Sequence, residues 1–403
     1  MSERLSAEET AARLGVKKET VYAYVSRGIL SRKKAVDGRA STFDADEVDR
    51  LRRKRVGGHP GRLEAPVTTA VADIRDGVVE YRGNPLTQLV ESGMTFEQTA
   101  ALLWGVPNDR PWEAPKSVRT AVASIVQALP AEATLIDQLL ASAVVAATHD
   151  PFRNDRQATS AATSMRHLIA AAVEALPELK TSRPNAQASI AERLWPRLTV
   201  AARTNAWVLD RTLMLMADHG MASSTLAARI AASTRAGPHS AVIAGLGALN
   251  GPLHGAASAS VHELLIDAEE LGTEAAIAKV LKTNGKVPGI GHFVHRTSDP
   301  RFTLMMDAIK SSTLSPKRIE LVEELLELTT ERISAPHNID FALGSLTFVA
   351  QMTPDAGELI FAIARIVGWV AHTLEEYEQA PLRFRPIGQY NPLRPRPAPA
   401  EPI

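Results

Sequence analysis

Several short stretches set polar side chains where a purely packed helical core would not place them. Asp218-His219-Gly220 follows the apolar run Leu213-Met214-Leu215-Met216, and Gly251-Pro252-Leu253-His254-Gly255 holds a histidine between glycines at a turn opening a helix. Gly289-Ile290-Gly291-His292 repeats that device, followed by Arg296 and Asp299-Pro300-Arg301, and Asn338-Ile339-Asp340 precedes an apolar helix from Phe341 to Val349. Histidine and aspartate are proton-transfer types, and arginine grips carboxylates through paired N–H groups. Taken singly, each has a plainer reading: a histidine at a helix start is a cap or a satisfied surface residue, and Asp340 is an N-cap of the helix that follows. No His-x-x-x-His and no His/carboxylate pair recurs on one helix face, so the spacing does not fit a metal site. The chain has no cysteine, which removes thiolate sites, cysteine nucleophiles and disulfides. There is no P-loop, and Gly289-Ile290-Gly291 lacks both the third glycine and the βαβ context of a dinucleotide site.

The elements that must position these residues are mostly helical. Residues 72–83 read as a short hairpin turning at Asp76-Gly77. From Thr95 onward, alanine- and leucine-rich stretches recur at three- and four-residue spacing (Glu97 to Leu103, Leu135 to Ala147, Ala158 to Ala175), divided by Pro and Gly. The proline-rich tail beyond Pro392 reads as extended or disordered. With 403 residues, 45% hydrophobic and 22% charged, two or three globular domains are expected. No window approaches about 18 uninterrupted apolar residues, so no membrane span is expected. The N-terminus lacks the apolar region of a signal peptide, and a cytoplasmic location is expected.

Charge divides the chain in two. Residues 1–62 hold 15 Lys/Arg against 9 Asp/Glu, net +6, while the rest carries net −6. The run Arg50-Leu-Arg-Arg-Lys-Arg55 gives way to Gly57-Gly58-His59-Pro60-Gly61, a helix stop and linker over 57–62. Before it, Ser6 and Glu9 fit a capping box, two short helices meet at Leu14-Gly15-Val16, and Asp37-Gly38 turns a hairpin between Arg32-Lys33-Lys34 and Arg39 to Phe43. Asp44 and Glu47 form another cap ahead of Val48 and Leu51. This order, residues 1–56, resembles the winged helix-turn-helix of the MerR and excisionase type. The resemblance implies that Lys17, Lys18, Thr20, Tyr22 and Tyr24 face the DNA major groove and that Arg32, Lys33 and Arg39 meet phosphates. A module that only packs against the body or a partner protein is the alternative.

In the body, the ordered set Ile74-Arg-Asp-Gly-Val-Val-Glu-Tyr-Arg-Gly83, Ala217-Asp-His219, Gly251-Pro-Leu-His254-Gly255, Val287-Pro-Gly-Ile-Gly-His292, Asp299-Pro-Arg301, Asn338-Ile-Asp340-Phe341, Arg365 and Arg385-Pro386 resembles the citrate synthase family, from about Thr68 to Pro386. The resemblance implies a mainly α fold: a large domain of residues 63–253 and 350–403 around a small domain of 254–349, with the site in the cleft between. By motif, His254 is the histidine that hydrogen-bonds the thioester carbonyl of acetyl-CoA. Asp340 is the base for the acetyl methyl, and His292 polarises the oxaloacetate ketone. His219, Arg301 and Arg365 bind oxaloacetate, and Arg385 reaches in from the second subunit of a homodimer. Arg296 and the backbone of Val287, Pro288, Gly289, Ile290 and Gly291 hold CoA. Coenzyme A thioester is then a substrate, and no cofactor or metal is implied.

The chemistry fits those residue types. Taking a proton from a thioester methyl needs a positioned base and a donor aimed at the oxygen where charge develops, and an imidazole at a helix N-terminus stays neutral and donates. Arginines answer the two carboxylates of oxaloacetate. Two departures from the family pattern stand out. Gly220-Met-Ala-Ser-Ser-Thr225 replaces the usual Glu and Asn-Ala-Ser-Thr after the histidine, and Phe293-Val-His-Arg296 replaces Arg-Val-Tyr-Lys. Pocket discrimination of one methylene is only about 1–3 kcal/mol, so 2-methylcitrate synthase using propionyl-CoA stays an alternative. A metabolite-sensing DNA-binding regulator is the alternative of another class.

Overall fold

The computed structural model describes residues 4–14, 16–26, 28–34, 41–45, 47–48, 51, 67–75, 77–179, 188–251, 255, 257–291, 295 and 297–386, and it falls into two units that divide after Thr68. In the first unit the expected capping box forms: Glu9 N donates to Ser6 Oγ at 3.2 Å, and Ser6 N donates to Glu9 Oε2 at 2.8 Å. It opens the helix Ala7–Leu14, and a second helix runs Lys18–Ser26. Strands β1 (Arg4–Ser6), β2 (Arg32–Lys34) and β3 (Ser41–Asp44) make an antiparallel sheet in the order β1-β3-β2, with Leu5 opposite Phe43 and Lys33 opposite Thr42. Leu5, Val21, Leu30, Phe43 and Val48 form a core of its own. The turn of the β2-β3 pair and Gly15 lie outside the described residues, while Gly28 follows the second helix at φ 67°.

The second unit begins with the expected hairpin, β4 (Ala72–Arg75) antiparallel to β5 (Val78–Tyr81), to which β6 (Asn84–Pro85) adds. Everything described beyond it is helix and connection. Reciprocal caps start the helices Phe96–Trp104, Leu135–Thr148 and Ile190–Leu198, through Thr95 with Gln98, Thr134 with Asp137 and Ser189 with Glu192. Such caps satisfy backbone donors that the first turn leaves without partners.

The helix Ala356–Tyr377 runs through the core, packed against Ser223–Ser233, Pro238–Leu249 and Phe96–Trp104. Among the described residues it is the one helix long and apolar enough to cross a membrane, by length and composition, yet 89% of that window is buried inside the fold. Arg365, His372 and Glu376 are all buried on it. Gly368 lets this helix press on the turn after Ala206–Leu215, because a Cβ there would collide with Asp218 and with the Ala217 carbonyl. That close approach positions the site.

Candidate active site

Asp340 is the second residue of the helix Ile339–Val349. The N-cap is Asn338, not Asp340: its side-chain oxygen accepts Asp340 N at 3.0 Å and Phe341 N at 3.3 Å. The Asp340 carboxylate is therefore not consumed in capping, contrary to its plainer sequence reading. Burial pushes its pKa up to about 6, with a further push from Asp299, while Arg301 and Arg365 pull the other way.

Asp299 organises the ground around it. As N-cap of the helix Pro300–Lys310 it accepts Arg301 N at 3.1 Å, and it pairs with the Arg301 guanidinium through Nε at 3.0 Å and Nη2 at 2.7 Å. Its second oxygen also accepts Ile339 N at 3.2 Å. Burial alone would raise this carboxyl, but the Arg301 charge and hydrogen bonds, with His295 behind them, hold it below the usual range.

The segment Val287 to Gly291 is tied to the same helix start. Asn338 N donates to Gly289 O at 3.0 Å, Asn338 Nδ2 to Gly291 O at 2.7 Å, and Gly291 N to Pro336 O at 2.7 Å. Gly289, at φ 73°, sits where a Cβ would lie 2.7 Å from Phe341 Cβ. Only glycine fits there.

On the far side, Tyr81 from β5 shares its hydroxyl proton between the Leu215 and Asp218 carbonyls at 3.0 Å each, and accepts Asp218 N at 3.1 Å. Asp218 Oδ2 accepts Gly220 N at 2.7 Å and so closes the turn that presents His219. His219 is half-buried, its ring stacked on His295 with centroids 5.0 Å apart. Arg365 donates Nε to Met216 O at 3.1 Å and lies 4.6 Å over the Phe361 ring. Arg365 lies within electrostatic reach of Asp340, Arg301, Asp218 and Tyr81, and Arg301 also of Asp340 and Tyr81. The result is a carboxylate of raised proton affinity beside two buried guanidinium groups.

His254, His292 and Arg296 lie outside the described residues. Their neighbours are described: Gly255 donates N to Leu249 O at 3.0 Å ahead of the helix Ala257–Leu271, and Gly291 and His295 flank the other two. Arg385 is exposed and lies beyond Arg383, which pairs with Glu376. No described contact joins Arg385 to the other site residues. Residues to which sequence reasoning gave no role are Asp299, Asp218, Tyr81, His295 and His372. For Asp299 a local signal existed, since Asp-Pro is a helix-start pattern.

A family model for the citrate synthase C-terminal domain matches residues 64–387. The chain belongs to the citrate synthase family. Citrate synthase 2 of Bacillus subtilis is 29% identical over 346 residues, 80% of this chain and 92% of that protein. 2-Methylcitrate synthase 2 of Corynebacterium glutamicum is 27% identical over 339 residues, 77% and 88% of the two chains. The citrate synthase of Thermoplasma acidophilum, solved as a ternary complex with carboxymethyl coenzyme A and oxaloacetate, has the same fold, with a TM-score of 0.68 and 22% identity over 83% of this chain and 96% of that one. The citrate synthase match begins at residue 64, close to the end of the first unit.

The first unit's candidate residues are arranged unevenly. Lys17 and Tyr22 are exposed and Thr20 is half-buried. Lys18 is exposed but pairs with Glu8 at 2.7 Å. Tyr24 packs against the small core instead of projecting from it. Arg32 and Lys33 are exposed on β2, and Arg39 lies outside the described residues.

Proposed function

We propose that the second unit condenses the acyl group of acetyl-CoA with oxaloacetate and hydrolyses the product to citrate and CoA. The observation that carries the reading is Asp340, a base of raised proton affinity held beside Arg301 and Arg365. A carboxyl with a pKa of about 6 takes a proton better than one at its ordinary value, and is still mostly ionised at neutral pH. In this reading Arg301, Arg365 and His219 hold the two carboxylates and the ketone of oxaloacetate. Asp340 takes a proton from the thioester methyl, while His254 donates a hydrogen bond to the thioester oxygen. The methyl carbon then attacks the ketone carbon, and His292 supplies the hydrogen bond that receives the new alkoxide as it is protonated. Water finally cleaves the thioester, releasing CoA as the free thiol. The backbone of Val287 to Gly291, with Arg296, holds CoA beside the base, which the fastening of that segment to Asn338 favours.

A bound dianion also offsets the positive field of Arg301 and Arg365. Those are the groups that pull Asp340 down, so substrate binding strengthens the base. No resident cofactor or metal enters these steps. Relatives named for citrate and for 2-methylcitrate both resemble the chain, so propionyl-CoA stands as the alternative acyl donor.

Closure of a small domain (254–349) on the large one (63–253 and 350–403) would complete the site, and a second copy would supply Arg385. The deciding assay follows free-thiol release from acetyl-CoA and from propionyl-CoA with oxaloacetate. Release with either supports the reading and ranks the donors. Oxaloacetate binding with no release from either overturns it.

A second reading concerns the first unit alone, as a winged helix-turn-helix that binds DNA beside the enzyme rather than in its place. Its separate core and the exposed cations of β2 favour it, and a salt-dependent mobility shift on upstream DNA tests it.

A further inference from the structure

We infer that His372 is a positioning residue for oxaloacetate binding, acting through Asp218 on the turn that carries His219. The inference rests on the reading of the site given above.

The helix Ala356–Tyr377 grips the segment 216–218 in register. Arg365 donates Nε to Met216 O at 3.1 Å, Gly368 donates N to Ala217 O at 3.0 Å, and His372 Nε2 lies 3.3 Å from Asp218 Oδ1. Positions 365, 368 and 372 share one helix face. So the face that presents the substrate arginine also sets the residue beside His219.

The protonation of His372 follows from its other nitrogen. Arg229 Nη1 lies 3.0 Å from His372 Nδ1. A guanidinium only donates, so Nδ1 must accept. The proton then sits on Nε2, facing the Asp218 carboxylate. Thr69 Oγ1, 3.4 Å from Nδ1, and Glu375 Oε2, 3.9 Å from it, are the other groups on that side. Arg229 is itself locked by Glu376 at 2.9 Å and by Glu375, and Glu375 accepts Ala70 N at 2.7 Å. Arg229, His372, Asp218 and Glu376 are fully buried. With one oxygen facing His372 and the other holding Gly220 N, Asp218 cannot rotate, and the His219 ring keeps its orientation. The approach of His372 to Asp218 is a charge contact and not an aligned hydrogen bond, and loss of the imidazole leaves the buried Oδ1 without the polar group that faces it, which the turn relieves by moving.

The test compares His372→Gln, whose amide N–H can reach the Nε2 position, with His372→Asn and His372→Phe, which cannot donate there. KM for oxaloacetate is expected to rise about tenfold in the Asn and Phe variants, the scale of a buried charge losing the polar group that faces it, with KM for the acyl-CoA within about twofold and rescue by Gln. Equal KM changes for both substrates, or no rescue by Gln, overturn the positioning role. A second readout needs no turnover: in protein with 15N-labelled histidine, the His372 ring should appear as the neutral Nε2–H tautomer, and an Nδ1–H or doubly protonated ring overturns the inference. Wild-type protein that releases no thiol but shows that tautomer would count against the proposed reaction and not against the His372 geometry.

Discussion

Asp299 accepts the backbone N–H of Ile339 at 3.2 Å while holding the Arg301 guanidinium through two hydrogen bonds. One carboxylate thus fixes both a buried guanidinium, the oxaloacetate ligand of the proposed reaction, and the first turn that carries Asp340. Base and anion site are set at a constant spacing by a residue that need not touch substrate.

Replacing the base separates its role from binding. Asp340→Ala should lower kcat by about a thousandfold or more, within the range that a positioned general base contributes. Oxaloacetate affinity, followed by calorimetry, should change little, because Arg301 and Arg365 remain. Parallel loss of binding and turnover would mean that Asp340 only holds the site's shape.

The pH dependence follows from the raised basicity. The proposed reaction needs Asp340 ionised, and burial pushes its pKa up to about 6. The rate constant kcat/KM for oxaloacetate should therefore fall as pH drops through about 6. The acid limb of kcat should lie higher, since the bound dianion cancels the arginine field. An acid limb near pH 4 in both profiles would contradict the burial of this group.

How much of this was legible in the sequence depends on reach along the chain. Asn338-Ile-Asp340 and Asp299-Pro-Arg301 are local helix-start patterns, so the segments and their residues were visible. Even there, the cap fell to Asn338 and left Asp340 for other work. Tyr81 anchors Asp218 across 137 positions, and no spacing rule announces such a pair. His372 and Arg229 read only as polar residues inside apolar helices until packing sets them against Asp218. The apolar core helix Ala356–Tyr377 also escaped a search for uninterrupted runs, because Glu358 and Arg365 break the run without lowering the mean hydropathy enough. The β4-β5 hairpin and the helices Phe96–Trp104, Leu135–Thr148, Ala158–Ala175, Ala257–Leu271 and Ile339–Val349 followed from periodicity and turn signals, since both are short-range.

Removing Asp299 should expose its double duty. Asp299→Asn leaves the buried Arg301 without its counter-charge, a change that typically costs about 3–5 kcal/mol. Thermal unfolding should register the loss, and KM for oxaloacetate should rise about tenfold or more as the guanidinium loses its orientation. Because Asp299 raises the proton affinity of Asp340, the acid limb of kcat/KM should also move to lower pH. A variant of wild-type stability and unchanged KM would refute the anchoring role.

The basic unit yields a prediction about salt. If β2 meets phosphates, Arg32→Ala and Lys33→Ala should each weaken DNA binding across sequences and reduce the slope of log K against log salt by about one. Lys18→Ala should do less, since Lys18 is already paired with Glu8. Equal and salt-independent effects at all three positions would point to a protein partner for this unit.

A last prediction concerns stability away from the site. Asp210, on the helix Ala206–Leu215, accepts Phe96 N at 3.3 Å, and burial with Glu97 and Glu192 nearby pushes its pKa up to about 7. A folded pKa above the unfolded one means that the native state holds the proton more tightly. This contribution to stability is therefore fully present below the ordinary Asp value and is lost as pH rises through about 7. At pH 8 the native state carries the charge at a cost that Asp210→Asn removes, while the amide oxygen still accepts Phe96 N. The variant should gain roughly 1–3 kcal/mol at pH 8, an amount consistent with a shift of this kind. The gain should vanish at pH 4, where the native carboxyl is protonated in both the folded protein and, in part, the unfolded chain. Denaturant unfolding at the two pH values measures the difference. A gain of the same size at both would show that the amide improves packing and that the charge is not what the native state resists.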